Sequence, residues 1–441
     1  MHPSVKAAGI LLAVAMLASC GMETADPNSI EGEFTVIWDA GGGLSPERHV
    51  LGHLQEKYPE TSYQVTPFYR THVILDGNQA NHPDVYAIAE NDMPGDIIVF
   101  ESTLAPYLFK TGYLEPLDHD LDTILGIVSR MDGRAFDFAR MQGGGTLYGI
   151  PFGKDVYALY YNVSIFNELG LPHPADGMTW DAVFDLAWDI ANHPQRGDRK
   201  ALGFDDFMPV FSQFHFRFLD EFGMPALDSP LWERALEFHG RWRDLTERTG
   251  FLSNKWFGFM DGQLAMLAAH FLGDDTPNGY TNRPFAAPLR DEWNAASFPV
   301  FADAPDTGPA PAYYYLGIPK NSRRKHEAFQ LIAHSLTDEV QLMNSRLGLA
   351  SVLDDPETMR LFGERDSRLH GKHTAAFFHH REFGSLDPDY DWQFERINAS
   401  GILNPERLTA VLDHRREKLE TFGEMPAEPG DESAGEPAAG L

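Results

Sequence analysis

The chain has 441 residues, of which 35 are Lys or Arg and 65 are Asp or Glu, so its formal net charge is −30 at neutral pH. A balance this acidic excludes a protein that binds the nucleic-acid backbone through a basic face. Hydrophobic residues make up 43% of the chain, which excludes global disorder, and the length predicts two lobes. The single cysteine excludes a disulfide scaffold and a cysteine-rich zinc site.

The N-terminal segment has the pattern of a bacterial lipoprotein signal peptide. Lys6 supplies a positive charge, and the apolar run 7–17 that follows is too short to span a bilayer. Small residues then precede Cys20, an order that resembles a lipobox. We therefore expect a signal peptide over residues 1–19, lipidation of Cys20, a tether over residues 20–33 and a location on the extracytoplasmic face of the cell membrane. The alternative is an ordinary signal peptide with an incidental cysteine.

Strand and helix patterns alternate through the first half of the chain. Apolar runs rich in β-forming residues predict strands at 34–38, 62–68, 96–100 and 158–162. Helical spacing predicts helices from Pro46 to Tyr58 and from Leu104 to Thr111. Thr179 is a predicted N-cap for a helix that extends to Ala191. Continuous apolar strands between helices indicate parallel sheets that are covered on both faces.

The second half continues with a mixture of both patterns. We predict a helix over 230–248, a strand-like run over 264–269, a strand over 313–319 and a helix over 324–336. Residues 337–423 have mostly helical character, and residues 424–441 lack periodicity and are expected to be disordered.

Sequence motifs that would identify an enzyme do not occur. Gly41–Gly43 lacks dinucleotide-binding spacing, and there is no phosphate loop, G-x-S-x-G elbow or H-E-x-x-H motif. The chain has so many Asp and Glu residues that the pair of catalytic carboxylates of a glycosidase is not excluded. Histidines occur at i, i+4 spacing and in a late cluster, which leaves a metal site as an alternative to surface and packing roles: His49, His53, His370, His373, His379 and His380. We predict no enzyme activity, no cofactor and no metal.

An ordered set of segments resembles family 1 of the extracellular solute-binding proteins, the large sugar-binding group of ABC importers. Beside the lipobox, the segments that carry the resemblance are 34–38, 94–100, 112–118, 147–155, 160–162, 166–170, 179–181, 261–266, 317–322 and 328–337 with Gln341. The most specific is the run that begins Leu147-Tyr148-Gly149-Ile150-Pro151, continues with Tyr160-Tyr161-Asn162 and ends with Thr179-Trp180-Asp181. Each segment alone is weak evidence for the resemblance, but the segments occur in the same order as in the family, and this order is informative.

The resemblance implies an α/β, two-lobed periplasmic-binding-protein-like fold. Each lobe would be a doubly wound sheet with helices on both faces, and hinge strands would connect the lobes. The expected boundaries are 34–152 plus about 286–335 for the first lobe and 153–285 plus about 336–423 for the second. The implied function is capture of a carbohydrate, in particular an oligosaccharide, in the interlobe cleft by a lipid-anchored monomer. The implied partner is an ABC importer permease, which receives the solute.

Candidate binding residues follow from strand ends and from the resemblance. Ligands bind outside the carboxyl ends of strands in open α/β sheets, which selects Trp38, Asp39, Glu101 and Ser102. The resemblance places a ligand-binding acid at Asp155. Aromatic rings and polar groups suit sugars, which adds Tyr157, Trp256, His270, Tyr314 and Trp392, with ordinary packing as the alternative for each.

Three other functions stay open at this point. The acidic charge favours a polyamine or another cationic solute. The large number of carboxylates leaves open a secreted glycoside-acting enzyme. A sensor module with the same fold is the third alternative.

Overall fold

The computed structural model describes residues 30–40, 44–68, 85–119, 125–217, 229–252, 254–271 and 292–385. The strands in these ranges are β1 (Gly32–Asp39), β2 (Thr61–Phe68), β3 (Ile97–Glu101), β4 (Ile150–Lys154), β5 (Tyr157–Asn162), β6 (Lys200–Phe204), β7 (Leu264–His270), β8 (Trp293–Ser297), β9 (Thr307–Gly308), β10 (Tyr313–Gly317) and β11 (Glu382–Phe383).

The α-helices are α1 (Gly52–Lys57), α2 (Val85–Glu90), α3 (Ala105–Lys110), α4 (Leu125–Val128), α5 (Gly133–Gln142), α6 (Val163–Leu169), α7 (Trp180–Asn192), α8 (Met208–Ser212), α9 (Pro230–Thr249), α10 (Lys255–Met260), α11 (Lys325–Ser335), α12 (Asp338–Arg346) and α13 (Pro356–Arg360). A π-helical turn, Glu47–Leu51, leads into α1, and a 3₁₀ segment spans Thr374–Phe378.

The first lobe is built on a five-stranded sheet in the order β2-β1-β3-β10-β4. Strand β1 is parallel to β2 and β3, and β10 is antiparallel to β3 and β4. All five residues of β3 are buried, as expected for a strand at the centre of a sheet with both faces covered. The buried apolar residues of β1 and β3 belong to the first hydrophobic core.

The second lobe is built on a four-stranded sheet in the order β6-β7-β5-β8. Strand β6 is parallel to β7, and β5 is antiparallel to β7 and β8. Helix α7 begins as predicted, because the Thr179 side chain accepts a hydrogen bond from the Ala182 backbone N–H at 3.2 Å. Its Trp180 ring lies 5.1 Å from Phe238 of α9 in an edge-on contact that helps to fill the second core.

Three segments of the chain meet where the two lobes join. The first is the step from β4 to β5 at Lys154 and Asp155. The Lys154 N–H donates to the carbonyl of Ala350 at 3.0 Å, and the Asp155 N–H donates to the carbonyl of Ala312 at 2.8 Å. These backbone bonds place the second and third segments beside the first. The described residues therefore form a three-segment junction, which is the geometry of a hinge.

Most predicted elements are confirmed. The strands expected at 34–38, 62–68, 96–100 and 158–162 correspond to β1, β2, β3 and β5, and the helix expected at 230–248 is α9. The segment from residue 337 is less helical than predicted: up to residue 385 it holds α12, α13, a 3₁₀ segment and connecting turns. Residues 386–441, including the expected C-terminal tail, lie outside the described residues, as do residues 1–29.

The lobe boundaries differ from those expected from the sequence. Strand β8 pairs with β5 in the second sheet, so the prediction that the chain returns to the first lobe at about 286 is wrong for Trp293–Ser297. Conversely, Leu336, Leu349 and Val352 pack into the first core, although residues from 336 were assigned to the second lobe. Strand pairing decides the first boundary and core packing decides the second, and hydrophobic periodicity does not identify the partner in either case.

Candidate functional site

The carboxyl ends of the first-lobe strands bring two predicted acids to one edge. Strands β1 and β3 are parallel neighbours, and they end at Asp39 and Glu101, which are 3% and 7% exposed. The Thr103 hydroxyl donates to Oε1 of Glu101 at 3.0 Å. Strand β10 starts at the same edge, with Tyr314 paired to Glu101. This edge is where open α/β sheets bind ligands.

Two other predicted residues of this edge are held inside the first lobe. Trp38 is 1% exposed and belongs to the first hydrophobic core. The Ser102 hydroxyl accepts from the Tyr313 backbone N–H at 3.0 Å, and its carbonyl accepts from Nε2 of Gln142 at 2.9 Å. The contacts of Ser102 connect β3, β10 and α5, which is a structural role.

The junction itself carries a predicted acid and a predicted tyrosine in contact. The Tyr314 hydroxyl donates to Oδ1 of Asp155 at 2.7 Å. Asp155 also lines a small pocket at the junction. The other lining residues are Leu44, His49, Lys154, Val156, Phe271, Tyr314, Gly348 and Leu349. The cavity volume is about 10 Å³, the space of about one water molecule, so a sugar ring does not fit this pocket in the described conformation.

The second sheet presents a matching edge. Strands β6 and β7 are parallel and end side by side, and the Asp205 N–H donates to the carbonyl of Ala268 at 3.1 Å. This places the Asp205 carboxylate beside the His270 ring, with Oδ2 to Nδ1 at 2.8 Å. His270 was expected here from the sequence, whereas Asp205 was not, because β6 itself was not predicted. An acid directly after a short strand is the only sequence feature that marks it.

Aromatic rings flank this second edge. The rings of Tyr157 and Trp256 each have their centroids 6.4 Å from that of His270, both in edge-on orientation. Trp256 lies on α10, and its ring also packs on that of Tyr160 with 5.5 Å between the centroids. The structure therefore brings together Tyr157, Trp256 and His270. Trp392 lies outside the described residues.

Charges at the two edges interact. Burial by itself lowers the pKa of His270, but the facing Asp205 carboxylate, with Asp155 and Glu101 further away, raises it to about 10. Burial raises the pKa of Asp205, yet the facing His270 holds it below its usual value. Burial raises the pKa of Asp206 to about 7, and the charge of Asp205 adds to the rise. At neutral pH the site therefore holds a histidinium among several carboxylates.

Three of the other histidines singled out in the sequence have hydrogen-bond partners within the protein. His373 Nε2 lies 2.7 Å from Oδ2 of Asp176, and His380 Nε2 lies 2.7 Å from the carbonyl of Phe298. His49 is buried, and its Nδ1 accepts from the Ser45 N–H at 3.3 Å. Among the described residues no group of three or more His, Cys, Asp or Glu is arranged to hold a metal ion.

The arrangement as a whole suits a polyhydroxylated solute. Carboxylates accept hydrogen bonds from hydroxyl groups, a histidinium donates to oxygens, and aromatic rings pack on the C–H face of a sugar. These groups come from both sheets, so a solute that contacts all of them lies between the lobes.

The sequence matches a protein-family model described as "Bacterial extracellular solute-binding protein" over residues 85–356, which is more than half of the chain. The chain belongs to this family. This solute-binding protein therefore has the family relationship that the sequence motifs predicted. No curated protein sequence matches it significantly.

Solved structures show the same two-lobed fold. An ABC substrate-binding protein from Listeria monocytogenes in complex with cycloalternan is 16% identical, with 90% of this chain and 100% of that chain covered and a TM-score of 0.62. The sugar-binding protein MalE from Xanthomonas citri is 18% identical, with 89% and 100% covered and a TM-score of 0.59. UgpB from Mycobacterium tuberculosis in complex with glycerophosphocholine is 19% identical, with 89% and 98% covered and a TM-score of 0.58.

The two-lobed α/β fold predicted from the sequence is confirmed by these similarities, which at this level of identity concern the fold alone. In the described ranges of the chain, none of the helices is both long enough and apolar enough to cross a membrane.

Proposed function

We propose that this solute-binding protein captures a carbohydrate between its lobes. The observation that carries the proposal is the convergence of carboxylates, a histidinium and aromatic rings at the facing edges of the two sheets: Asp39, Glu101, Asp155, Tyr157, Asp205, Trp256, His270 and Tyr314. Fold relatives described as sugar-binding or bound to cycloalternan support the carbohydrate class. An oligosaccharide is the solute that we expect, because groups from both lobes face one cleft.

The proposed mechanism is capture by closure. The three-segment junction at Lys154 acts as the hinge, and a solute stabilises the closed state only by contacts that the open state lacks. Tyr314 and Asp155 lie at this junction. The affinity of a solute that hydrogen-bonds to Asp155 therefore depends on the relative position of the two lobes. We propose Asp155, His270 and Trp256 as the central contacts of the closed site.

A cationic solute is the second candidate. Four carboxylates, those of Glu101, Asp155, Asp205 and Asp206, act on one another or on His270 at the edges of the sheets. Such a field attracts a cation. The structure that holds glycerophosphocholine shows that this fold also accommodates solutes other than sugars.

The test is a thermal-shift screen of the purified full-length protein. The panel holds maltose, cellobiose, mannobiose, cycloalternan, mannitol, glycerophosphocholine, spermidine and amino acids. A solute at 100 times its Kd stabilises the folded state by about 2.7 kcal/mol, which raises Tm by several degrees. A shift with one or more saccharides supports the proposal. A shift confined to spermidine or glycerophosphocholine contradicts the carbohydrate class and favours the second candidate.

We also propose that the protein acts as a lipid-anchored monomer that delivers its solute to an ABC importer permease. The support for the anchor is the lipobox-like order of residues that ends at Cys20. The Cys20→Ala variant should leave the membrane fraction of producing cells and lose incorporation of labelled fatty acid. An unchanged membrane fraction with no label in the wild type would contradict lipidation.

A further inference from the structure

One contact of the second-lobe edge was not expected from the sequence. Asp205 and His270 follow two parallel neighbouring strands, and their side chains meet at 2.8 Å between Oδ2 and Nδ1. Their side chains are 26% and 27% exposed, so the pair is open at the edge of the sheet and not enclosed in the core. We propose that Asp205 is a positioning residue that fixes His270 as a hydrogen-bond donor to an uncharged oxygen of the solute. This inference rests on the proposed function.

The geometry of the pair determines which nitrogen serves the solute. Because Nδ1 of His270 is directed at the Asp205 carboxylate, the second N–H of the imidazolium is the one on Nε2. The ring is flanked by Tyr157 and Trp256, each at 6.4 Å between centroids, which restricts its rotation. The backbone on both sides is also held, because the Asp205 N–H donates to Ala268 and the Tyr160 hydroxyl donates to the carbonyl of His270 at 3.4 Å.

The surrounding charges determine the protonation state of the His270 ring. The charged groups that act on the pair are Asp205, Asp206, Lys255, Asp155 and Glu101, and burial lowers the pKa of Lys255. Together the carboxylates keep His270 protonated at neutral pH, so both of its nitrogens are donors.

A fixed cationic donor has a consequence for the solute class. A hydroxyl, ring or glycosidic oxygen accepts from Nε2, whereas an ammonium group placed there meets a like charge. The neighbouring carboxylates then accept from further hydroxyl groups of the same solute. The pair therefore favours neutral polyhydroxylated solutes over polyamines, although the net charge of the whole chain is −30.

The experiment compares full-length wild type with Asp205→Asn and His270→Gln. His373→Gln is the matched control, because His373 forms a similar pair with Asp176 at 2.7 Å beside β8, two strands from β7. Binding of maltose, cellobiose, mannobiose, cycloalternan and spermidine is measured by calorimetry at pH 5.5, 7.0 and 8.5. Circular dichroism and Tm establish that each variant is folded, and NMR titration reports the pKa of His270.

We expect His270→Gln to weaken saccharide binding at least tenfold at pH 7, with His373→Gln within twofold of the wild type. In Asp205→Asn the pKa of His270 should fall towards 6.5, because its main counter-charge is lost. Its affinity relative to the wild type at the same pH should then be lowest at pH 8.5 and recover at pH 5.5, where the ring is protonated again. A merely structural role of Asp205 would not produce this recovery.

The outcomes separate the inference from the proposed function. If the wild type binds a saccharide and both cleft variants bind it within twofold at every pH, the inference is overturned and the proposed function stands. If Asp205→Asn leaves the pKa of His270 unchanged, the positioning role is overturned. If the wild type binds none of the saccharides, with or without spermidine, the proposed carbohydrate function fails, and the inference fails with it. If His270→Gln does not fold, Asp205→Asn with its pH profile and NMR titration still decides the positioning role.

Discussion

Gln341 shows what a single buried side chain contributes near the junction of the lobes. It is 0% exposed, and its Nε2 donates to the carbonyls of Phe152 and Ser335, both at 2.9 Å. Its Oε1 accepts from the Ser351 hydroxyl at 2.8 Å and from the Val352 N–H at 3.2 Å. One amide thus satisfies four polar groups on β4, at the end of α11 and in the segment after α12.

Replacing Gln341 with Leu should lower the free energy of unfolding by about 2–4 kcal/mol, because buried polar groups lose their partners while the volume stays similar. Urea denaturation monitored by circular dichroism measures the change. The control is Gln330→Leu on α11, whose amide bonds only to His326 at a solvent-exposed position. Equal stability of the two variants would contradict the role assigned to Gln341.

Individual cleft residues were predictable to the extent that their strands were. Asp39 and Glu101 follow apolar strands that the sequence identifies clearly, and both lie at the expected edge. Asp205 follows Lys200–Phe204, a short strand whose Ala and Gly residues weaken the β pattern. The partner of His270 was therefore not predicted, since only the pairing of β6 with β7 brings the two side chains together.

At the scale of elements, the first helical segment of the first lobe buries two histidines. Burial, together with Arg48, lowers the pKa of His49 to about 3. Burial, together with His334, lowers the pKa of His53 to about 3. Between about pH 3 and pH 6.5, both rings stay neutral in the folded protein but are protonated in the unfolded chain. The unfolded state then binds more protons, so acid favours unfolding.

The stability should consequently fall as the pH drops below 6.5, the ordinary pKa of histidine, and the loss should continue towards pH 3. Each of the two histidines contributes a slope of up to about 1.4 kcal/mol per pH unit. Replacement of His53 with Gln removes one of these protons. Urea denaturation between pH 5.0 and about 7.5 should therefore give a shallower slope for His53→Gln than for the wild type.

His326→Gln on α11 is the control for this pH dependence, because His326 is exposed. Its slope should equal that of the wild type. A wild-type slope in His53→Gln would show that protonation of His53 does not limit stability in acid.

The same segment illustrates how far elements can be read from the sequence. The pattern from Pro46 to Tyr58 predicts a helix with Val50 and Leu54 inward, and both are buried. The π-helical turn Glu47–Leu51 is not predictable from that pattern, because periodicity does not distinguish one helical hydrogen-bond register from another.

At the scale of the whole molecule, two lobes were predictable and their boundaries were not. The alternation of strands and helices and the order of the family segments both indicate two α/β lobes, which the fold confirms. Strand β8 joins the second sheet, although its sequence carries no pattern that identifies its pairing partner. Contacts between the lobes are also beyond sequence reasoning, because they join surfaces that fold separately.

One such contact lies away from the junction. Arg134 of α5, in the first lobe, stacks on the ring of Phe383 with 4.6 Å from the guanidinium carbon to the ring centroid. Phe383 belongs to β11, which pairs with β9, and the next two residues bond to Gly308 and Ser212 of the second lobe. Arg134 is held in place by Asp132, with Nε to Oδ1 at 2.9 Å. This contact bridges elements of the two lobes, so we expect it to favour conformations in which the lobes are close together.

Replacing Phe383 with Ala should therefore shift the unliganded protein towards open conformations. A cation–π contact at a partly exposed position contributes about 0.5–1 kcal/mol, which predicts a twofold to fivefold weaker affinity for the solute. Small-angle scattering should show a larger radius of gyration for the unliganded variant, and saturating solute should return it to the wild-type value.

Phe251→Ala separates this effect from the loss of any stacked ring. Phe251 carries a cation–π contact with Lys255 at 5.5 Å, but both residues lie in the second lobe, and Phe251 is 60% exposed. Its removal should leave the radius of gyration and the affinity unchanged, because no interlobe contact is lost. If Phe383→Ala behaves like Phe251→Ala in both measurements, the Arg134–Phe383 contact does not bias the equilibrium between open and closed states.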